Sequence, residues 1–107
     1  MDIRPNSNSE KFVAKGINIS YSHIGENAYI YLEDRKRFLK LNETGSFVWR
    51  QINGKNSITD IIELSLQEYE GCEKEITKSI LSFIEMLYSE EMIEISSSKF
   101  KGVMTSA

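Results

Sequence analysis

The side chains able to do chemistry in this chain are few and poorly spaced for it. Cys72 and His23 are its only thiol and its only imidazole. A cysteine nucleophile needs a base within hydrogen-bond reach, and the hydrophobic pattern places this one histidine in a hairpin connection as a bystander. One Cys and one His cannot supply the three or four ligands of a zinc site. The acidic pairs Glu73/Glu75 and Glu90/Glu91 have the residue type for general acid–base work on a glycoside. They fall on the polar face or at the end of a helical stretch, where carboxylates are ordinarily solvated. There is no glycine-rich phosphate loop. The expectation is a binding module with no active site, no cofactor and no metal.

The bulk properties agree. The 107 residues are 40% hydrophobic with one Pro and six Gly, which suits one domain around a single modest core. Apolar runs are only a few residues long, too short to span a bilayer. The opening "MDIRPNSNSEK" lacks the apolar segment of a secretory signal. A lone Cys makes no internal disulfide and fits a reducing cytoplasm. The net charge of −3 is uneven: residues 1–56 carry nine Lys/Arg and six Asp/Glu, and residues 57–107 carry four and ten. The second half is clearly acidic.

Between polar ends at 1–10 and 96–107, the hydrophobic period changes once. From 17 to 41 it is two, as in strands. "INISY" aligns Ile17, Ile19 and Tyr21. "AYIYL" puts Ala28, Ile30 and Leu32 on one face and Tyr29 and Tyr31 on the other. "RFLKL" aligns Leu39 and Leu41 with Phe38 opposite. The short polar connections "SHIGEN" and "EDRK" make these an antiparallel meander whose third strand, 37–41, is an edge.

After Leu41 the period becomes helical. Asn42 is placed to cap a first helix that buries Phe47, Val48 and Ile52, is anchored by Trp49 and stops at Asn53-Gly54. Ser57 and Asp60 form a capping-box pattern ahead of a stripe of Ile58, Ile61, Ile62 and Tyr69, with Gly71 as the stop. A third helix runs from about Glu73 to Ser89, and "MIEI" beyond it is a short strand or extended chain. On that helix Ile76, Ile80, Phe83 and Leu87 fall within about 60° of one another. Leu81, Ile84 and Tyr88 widen the arc by roughly 100° on one flank, beyond what one buried face needs. Either the other helices wrap this flank or it lines a groove for a partner.

A small sheet with three helices suggests a winged helix-turn-helix, a fold that often binds DNA. Its reading helix here carries Glu73, Glu75 and Glu85, followed by Glu90 and Glu91, against Lys74 and Lys78. That is the wrong sign for phosphates. The bases Arg35, Lys36, Arg37 and Lys40 gather instead at the edge strand. There they guard against aggregation or suit an acidic peptide that adds a strand.

The ordered set "LKLNETGSFVWRQINGK", "SITDIIELSLQEY" and "EITKSILSFIEMLYSEEMIEI" closely resembles the PqqD-like family over roughly residues 17 to 95. These are small recognition elements for ribosomally made, post-translationally modified peptides (RiPPs). The family pattern is Leu-Asn-x-Thr-Gly after a strand, an apolar or aromatic pair, a Gly closing the first helix, and two further helices. Many relatives also close the third helix with Gly, where this chain has "SEEMIEI". The resemblance implies an α+β, winged helix-turn-helix-like domain, a three-stranded antiparallel sheet followed by three helices. It does not explain the pre-strand segment or the Ser-rich tail; with the polar ends read as flexible tails at 1–10 and 96–107, the domain is 11–95. The resemblance also implies a non-catalytic, stand-alone adaptor. Such an adaptor binds the leader of a precursor peptide as an added strand and presents it to a maturation enzyme, either a radical S-adenosylmethionine enzyme or a leader peptidase of the lasso type. No nucleic acid or membrane partner is implied, and a homodimer through the same edge is an alternative occupant. By position, the docking edge is Arg37, Phe38, Leu39, Lys40 and Leu41, and the helix wall is Ile80, Leu81, Ile84 and Tyr88. Asn42, Thr44 and Gly45 shape the strand-to-helix junction. Leu39→Pro is expected to remove an edge donor. Phe12 and Val13 have two open roles, covering the outer face of Tyr29, Tyr31 and Phe38 or leaving that face to the enzyme.

Overall fold

The computed structural model of the chain describes residues 11–100; the expected tail at 1–10 and residues 101–107 of the expected second tail lie outside them. The order is β1 (Phe12–Lys15), β2 (Ile19–Ile24), β3 (Asn27–Leu32), β4 (Arg37–Lys40), α1 (Glu43–Gln51), α2 (Ile58–Glu68), α3 (Glu73–Ser89) and β5 (Ile93–Ser96). Strands β2, β3 and β4 form the antiparallel meander and three helices follow it, as the periodicity predicts. A second sheet, the antiparallel ribbon β1–β5, joins the two ends of this sequence.

The alternation in β3 decides which face of the meander is buried. Ala28, Ile30 and Leu32 are almost fully enclosed while Tyr29 and Tyr31 stay half-exposed on the other side. The β2–β3 turn is tighter than the sequence suggests: Ile24 pairs with Asn27, leaving only Gly25 and Glu26 between the strands. Gly25 takes φ 62°, the positive value that a two-residue hairpin turn demands of its first central residue. Ile17 does not join Ile19 and Tyr21. It precedes β2, next to Asn18 at φ 60°, and is 78% exposed.

The helix starts follow their caps. Asn42 accepts the Gly45 N–H at 2.8 Å, and Ser57 and Asp60 close a reciprocal capping box at the start of α2. Val48, Trp49, Ile52, Ile58, Ile61, Ile80, Ile84 and Leu87 then pack against Ile30 and Leu32 in one cluster. Phe47 is only half-buried, edge-to-face with Tyr69 at 5.6 Å. Ser46 is polar yet enclosed because its Oγ accepts the Ala28 N–H at 2.7 Å and donates to the Leu41 carbonyl at 3.2 Å, so α1 is stitched to both neighbouring strands.

Strand β1 settles the role of Phe12 and Val13. Val13 is fully buried in the core and lies opposite Ile95 of β5, so β1 is no cover for the outer aromatic face. Its second side is also used: the Gly54 N–H donates to the Val13 carbonyl at 2.6 Å, and the Ile58 N–H to that of Lys11 at 2.8 Å. "MIEI" thereby supplies a true strand. Ser96 belongs to that strand and the Phe100 N–H donates to the Gly54 carbonyl at 3.0 Å, so ordered structure continues past residue 95.

Lys15 ends β1 with its Nζ donating to the Ile52 carbonyl at 2.6 Å. The ammonium rests 5.0 Å from the Tyr21 ring centroid and 5.1 Å from that of Trp49. Burial lowers its pKa from the usual 10.5 to about 8. Between those values the unfolded chain holds a proton that the folded chain has released, so stability should rise with pH across that window. Urea unfolding of the wild type at pH 7.5 and 9.5 should show the rise, and Lys15→Met should flatten it. An equal rise in both proteins would assign the effect to other groups.

Candidate functional site

Strand β4 pairs with β3 on one side and with no strand on the other among the described residues. Two hydrogen bonds fix which of its backbone groups are spent. The Leu41 N–H donates to the Ala28 carbonyl at 2.9 Å, and the Glu33 N–H to that of Asn18 at 3.2 Å. Antiparallel ladders alternate between bonded and non-bonded pairs. With Leu39 opposite Ile30 and Arg37 opposite Leu32, Arg37, Leu39 and Leu41 therefore turn their N–H and C=O groups inward to β3. Phe38 and Lys40 turn theirs to the free side. This corrects the expectation for Leu39, whose amide belongs to the ladder and is not an edge donor.

Side chains alternate with the pleat. Arg37, Leu39 and Leu41 share the face of Ile30, and Leu39 is half-buried against the core. Phe38 and Lys40 occupy the outer face. Phe38 is 77% exposed with its ring centroid 4.7 Å from that of Tyr31, and the Lys40 Nζ stands 5.9 Å from the Tyr29 centroid.

The contacts of α3 show which of its flanks lies beside this edge. A Cβ placed on Gly45 would meet Phe83 Cζ at 3.4 Å, Leu41 Cβ at 3.6 Å and the capping Asn42 Oδ1 at 3.2 Å. The tight contact is with the capping oxygen, and the other two place the Phe83 ring at ordinary contact distance from the strand-to-helix junction. At the other end of β4, Arg35 Nη1 is 2.5 Å from Glu90 Oε1, and Arg37 Nη1 is 3.8 Å from the same oxygen. Arg35 also donates to the Glu90 carbonyl. The stretch from Phe83 to Glu90 therefore runs antiparallel beside β4. At about 100° per residue, Phe83, Met86 and Glu90 share that flank. Phe83 is half-buried and Met86 is 40% exposed, so both present apolar surface there.

The residues expected to form the helix wall sit elsewhere. Ile80 and Ile84, at 2% and 0% exposure, belong to the core beneath the cleft and have no surface to offer. Leu81 and Tyr88 point roughly 140–180° away from the Phe83–Glu90 flank. Leu81 there joins Lys74, Thr77, Lys78 and Glu85 around a shallow depression made only of α3 side chains. By helical angle Phe83 and Met86 fall on the flank nearer the edge. The one trace of this in the sequence is Glu90, an acid on their flank facing a basic strand.

The arrangement offers backbone pairing next to an apolar strip. Among the described residues no group of three metal-ligating side chains converges. Cys72 is exposed just before α3. His23 lies in β2 with its Nδ1 3.3 Å from Arg50 Nη1, and partial burial, then the charges of Arg50 and Lys15, lower its pKa. No helix among these residues is long and apolar enough to cross a membrane.

An antiparallel meander leading into three helices, with a bare β-edge beside the last of them, defines a winged-helix-like domain of α+β class. The family described as coenzyme PQQ synthesis protein D (PqqD) matches residues 28–93, and the chain belongs to that family, the PqqD-like RiPP recognition elements. Two solved structures share the fold. "TbiB1 in Complex with the TbiA(beta) Leader Peptide" superposes with a TM-score of 0.70 at 16% identity, covering 76% of this chain and 94% of that one. "Lasso peptide synthetase B1 complexed with the leader peptide" gives 0.67 at 16% identity, with 77% and 96% covered. A search of curated proteins found no match.

Proposed function

We propose that this domain is a leader-peptide-binding adaptor. It takes the leader of a ribosomally made precursor as a fourth strand on β4 and presents it to a maturation enzyme, catalysing nothing itself. The observation that carries this reading is the phase of the β4 edge: the free N–H and C=O groups of Phe38 and Lys40 lie beside the apolar flank of α3. Backbone pairing supplies affinity in this mode, and alternate side chains entering the cleft supply selectivity. The fold shared with two proteins solved with leader peptides supports it. The enzyme partner is a radical S-adenosylmethionine enzyme or a lasso-type leader peptidase, and the likeness to a lasso peptide synthetase B1 favours the second. Such work belongs in the cytoplasm, where precursors are made.

The test is an amide NMR titration with the leader half of the precursor peptide encoded beside this gene. The Phe38 and Lys40 amides should shift most, with Phe83, Met86 and Glu90 following and Lys78 and Leu81 staying still. A folded, monomeric protein whose spectrum ignores the peptide, with and without the maturation enzyme, would overturn the adaptor reading. Peaks that move on dilution alone would show a second copy on the edge.

A further inference from the structure

Among the described residues, one cation at the end of the cleft nearest the α3 C-terminus is incompletely paired. Arg35 takes the short contact with Glu90 Oε1 at 2.5 Å, holds the Glu90 carbonyl as well, and lies 3.9 Å from Glu91 Oε1. Arg37 reaches only the Glu90 oxygen that Arg35 already engages, at 3.8 Å, and its side chain is 54% exposed. A guanidinium is best satisfied by two parallel bonds to one carboxylate; Arg37 has neither. It also stands on the same face of β4 as Leu39 and Leu41, the face that continues into the cleft.

We propose, building on the adaptor reading, that Arg37 is a specificity-determining residue that recognises a carboxylate on the bound peptide. The sheet's existing pairs are all antiparallel, and antiparallel pairing is the more stable per residue. A guest continuing that pattern runs from Leu41 toward Arg37. Its residues opposite Leu41, Leu39 and Arg37 then share the inner face at every second position. The first two meet apolar surface and the third meets the half-exposed, loosely paired guanidinium of Arg37. The ligand is thus a peptide reading apolar–x–apolar–x–acidic from N- to C-terminus. The intervening residues exchange backbone bonds with Lys40 and Phe38 and point to the outer face.

The experiment is selection of a phage-displayed random dodecapeptide library on the full chain and, in parallel, on its Arg37→Glu variant. The wild type should enrich Asp or Glu two positions after the second apolar residue, and Arg37→Glu should switch that position to Lys or Arg. A synthetic consensus peptide should lose about fivefold in affinity to Arg37→Gln, the scale of a partly exposed ion pair, and nothing to Lys78→Gln on the opposite flank. Thermal melts of both Arg37 variants verify folding. Enrichment of an apolar motif without an acidic position, or one unmoved by Arg37→Glu, overturns the inference and leaves the adaptor reading standing. An acid that precedes the apolar pair overturns the strand direction. No enrichment on either protein removes the adaptor reading and this inference with it.

Discussion

Replacing Lys40 by proline should weaken leader-peptide binding by roughly thirtyfold or more while moving the melting temperature by no more than about 5 °C. The Lys40 N–H faces the free side of β4, so the substitution takes no bond from the meander, and edge strands accept proline where the N–H would face solvent. A guest strand loses that donor and meets the pyrrolidine ring in the lane it must occupy. Lys40→Ala keeps the amide and should lose less than about threefold, the worth of an exposed charge, which separates backbone pairing from the side chain. Leu39→Pro should behave differently again. It removes a bond to Ile30 and lowers stability before it touches the edge. Isothermal titration and thermal melts on the three variants decide the matter. A folded Lys40→Pro protein that binds like the wild type would place the peptide somewhere other than β4.

Ile84→Ala should lower the unfolding free energy by about 3 kcal/mol and the melting temperature by roughly 15 °C. Ile84 is wholly enclosed in the core cluster, and truncating it leaves a hole that its neighbours fill only in part. Peptide affinity of the protein that remains folded should stay within about twofold. Met86→Ala should show the reverse, a small change in melting and a clear loss of affinity, because Met86 carries its exposed apolar surface on the flank beside β4. Urea unfolding measures the first quantity and titration below the transition measures the second. Weakened binding by Ile84→Ala without loss of stability would return Ile84 to the cleft wall.

These two residues mark where the sequence stops being legible. Ala28, Ile30 and Leu32 declare β3 because period-two alternation survives any tertiary context. Asn42 and the Ser57/Asp60 box declare helix starts because a cap is satisfied locally. The third helix is readable from about Glu73 to Ser89 by its periodicity of about 3.6 residues, although Cys72 gives its start no side-chain cap. Its flanks are not: Ile80, Leu81, Ile84 and Tyr88 have a definite angular position, but the neighbour that stands at each angle is set by packing. The phase of β4 was hidden too, since it depends on which pairs of β3 bond to it and not on side-chain type. Ribbon β1–β5 left the least trace. Four residues at each end carry little periodicity, and nothing in "FVAK" names a partner some eighty residues away. The sequence therefore leaves two roles open for Phe12 and Val13, whereas the fold pairs them with Ser96 and Ile95.

That ribbon has a kinetic consequence. The meander hairpins and the capped helices close short loops, whereas pairing Phe12–Lys15 with Ile93–Ser96 must bring together nearly the whole described chain. Loop-closure entropy makes such contacts late in folding and early to open. Val13 and Ile93 should then seal the core from outside after the scaffold of β2–β4 and α1–α3 has formed. The β4 edge lies wholly within the early-forming part, so the cleft can take shape before the ends of the fold have met.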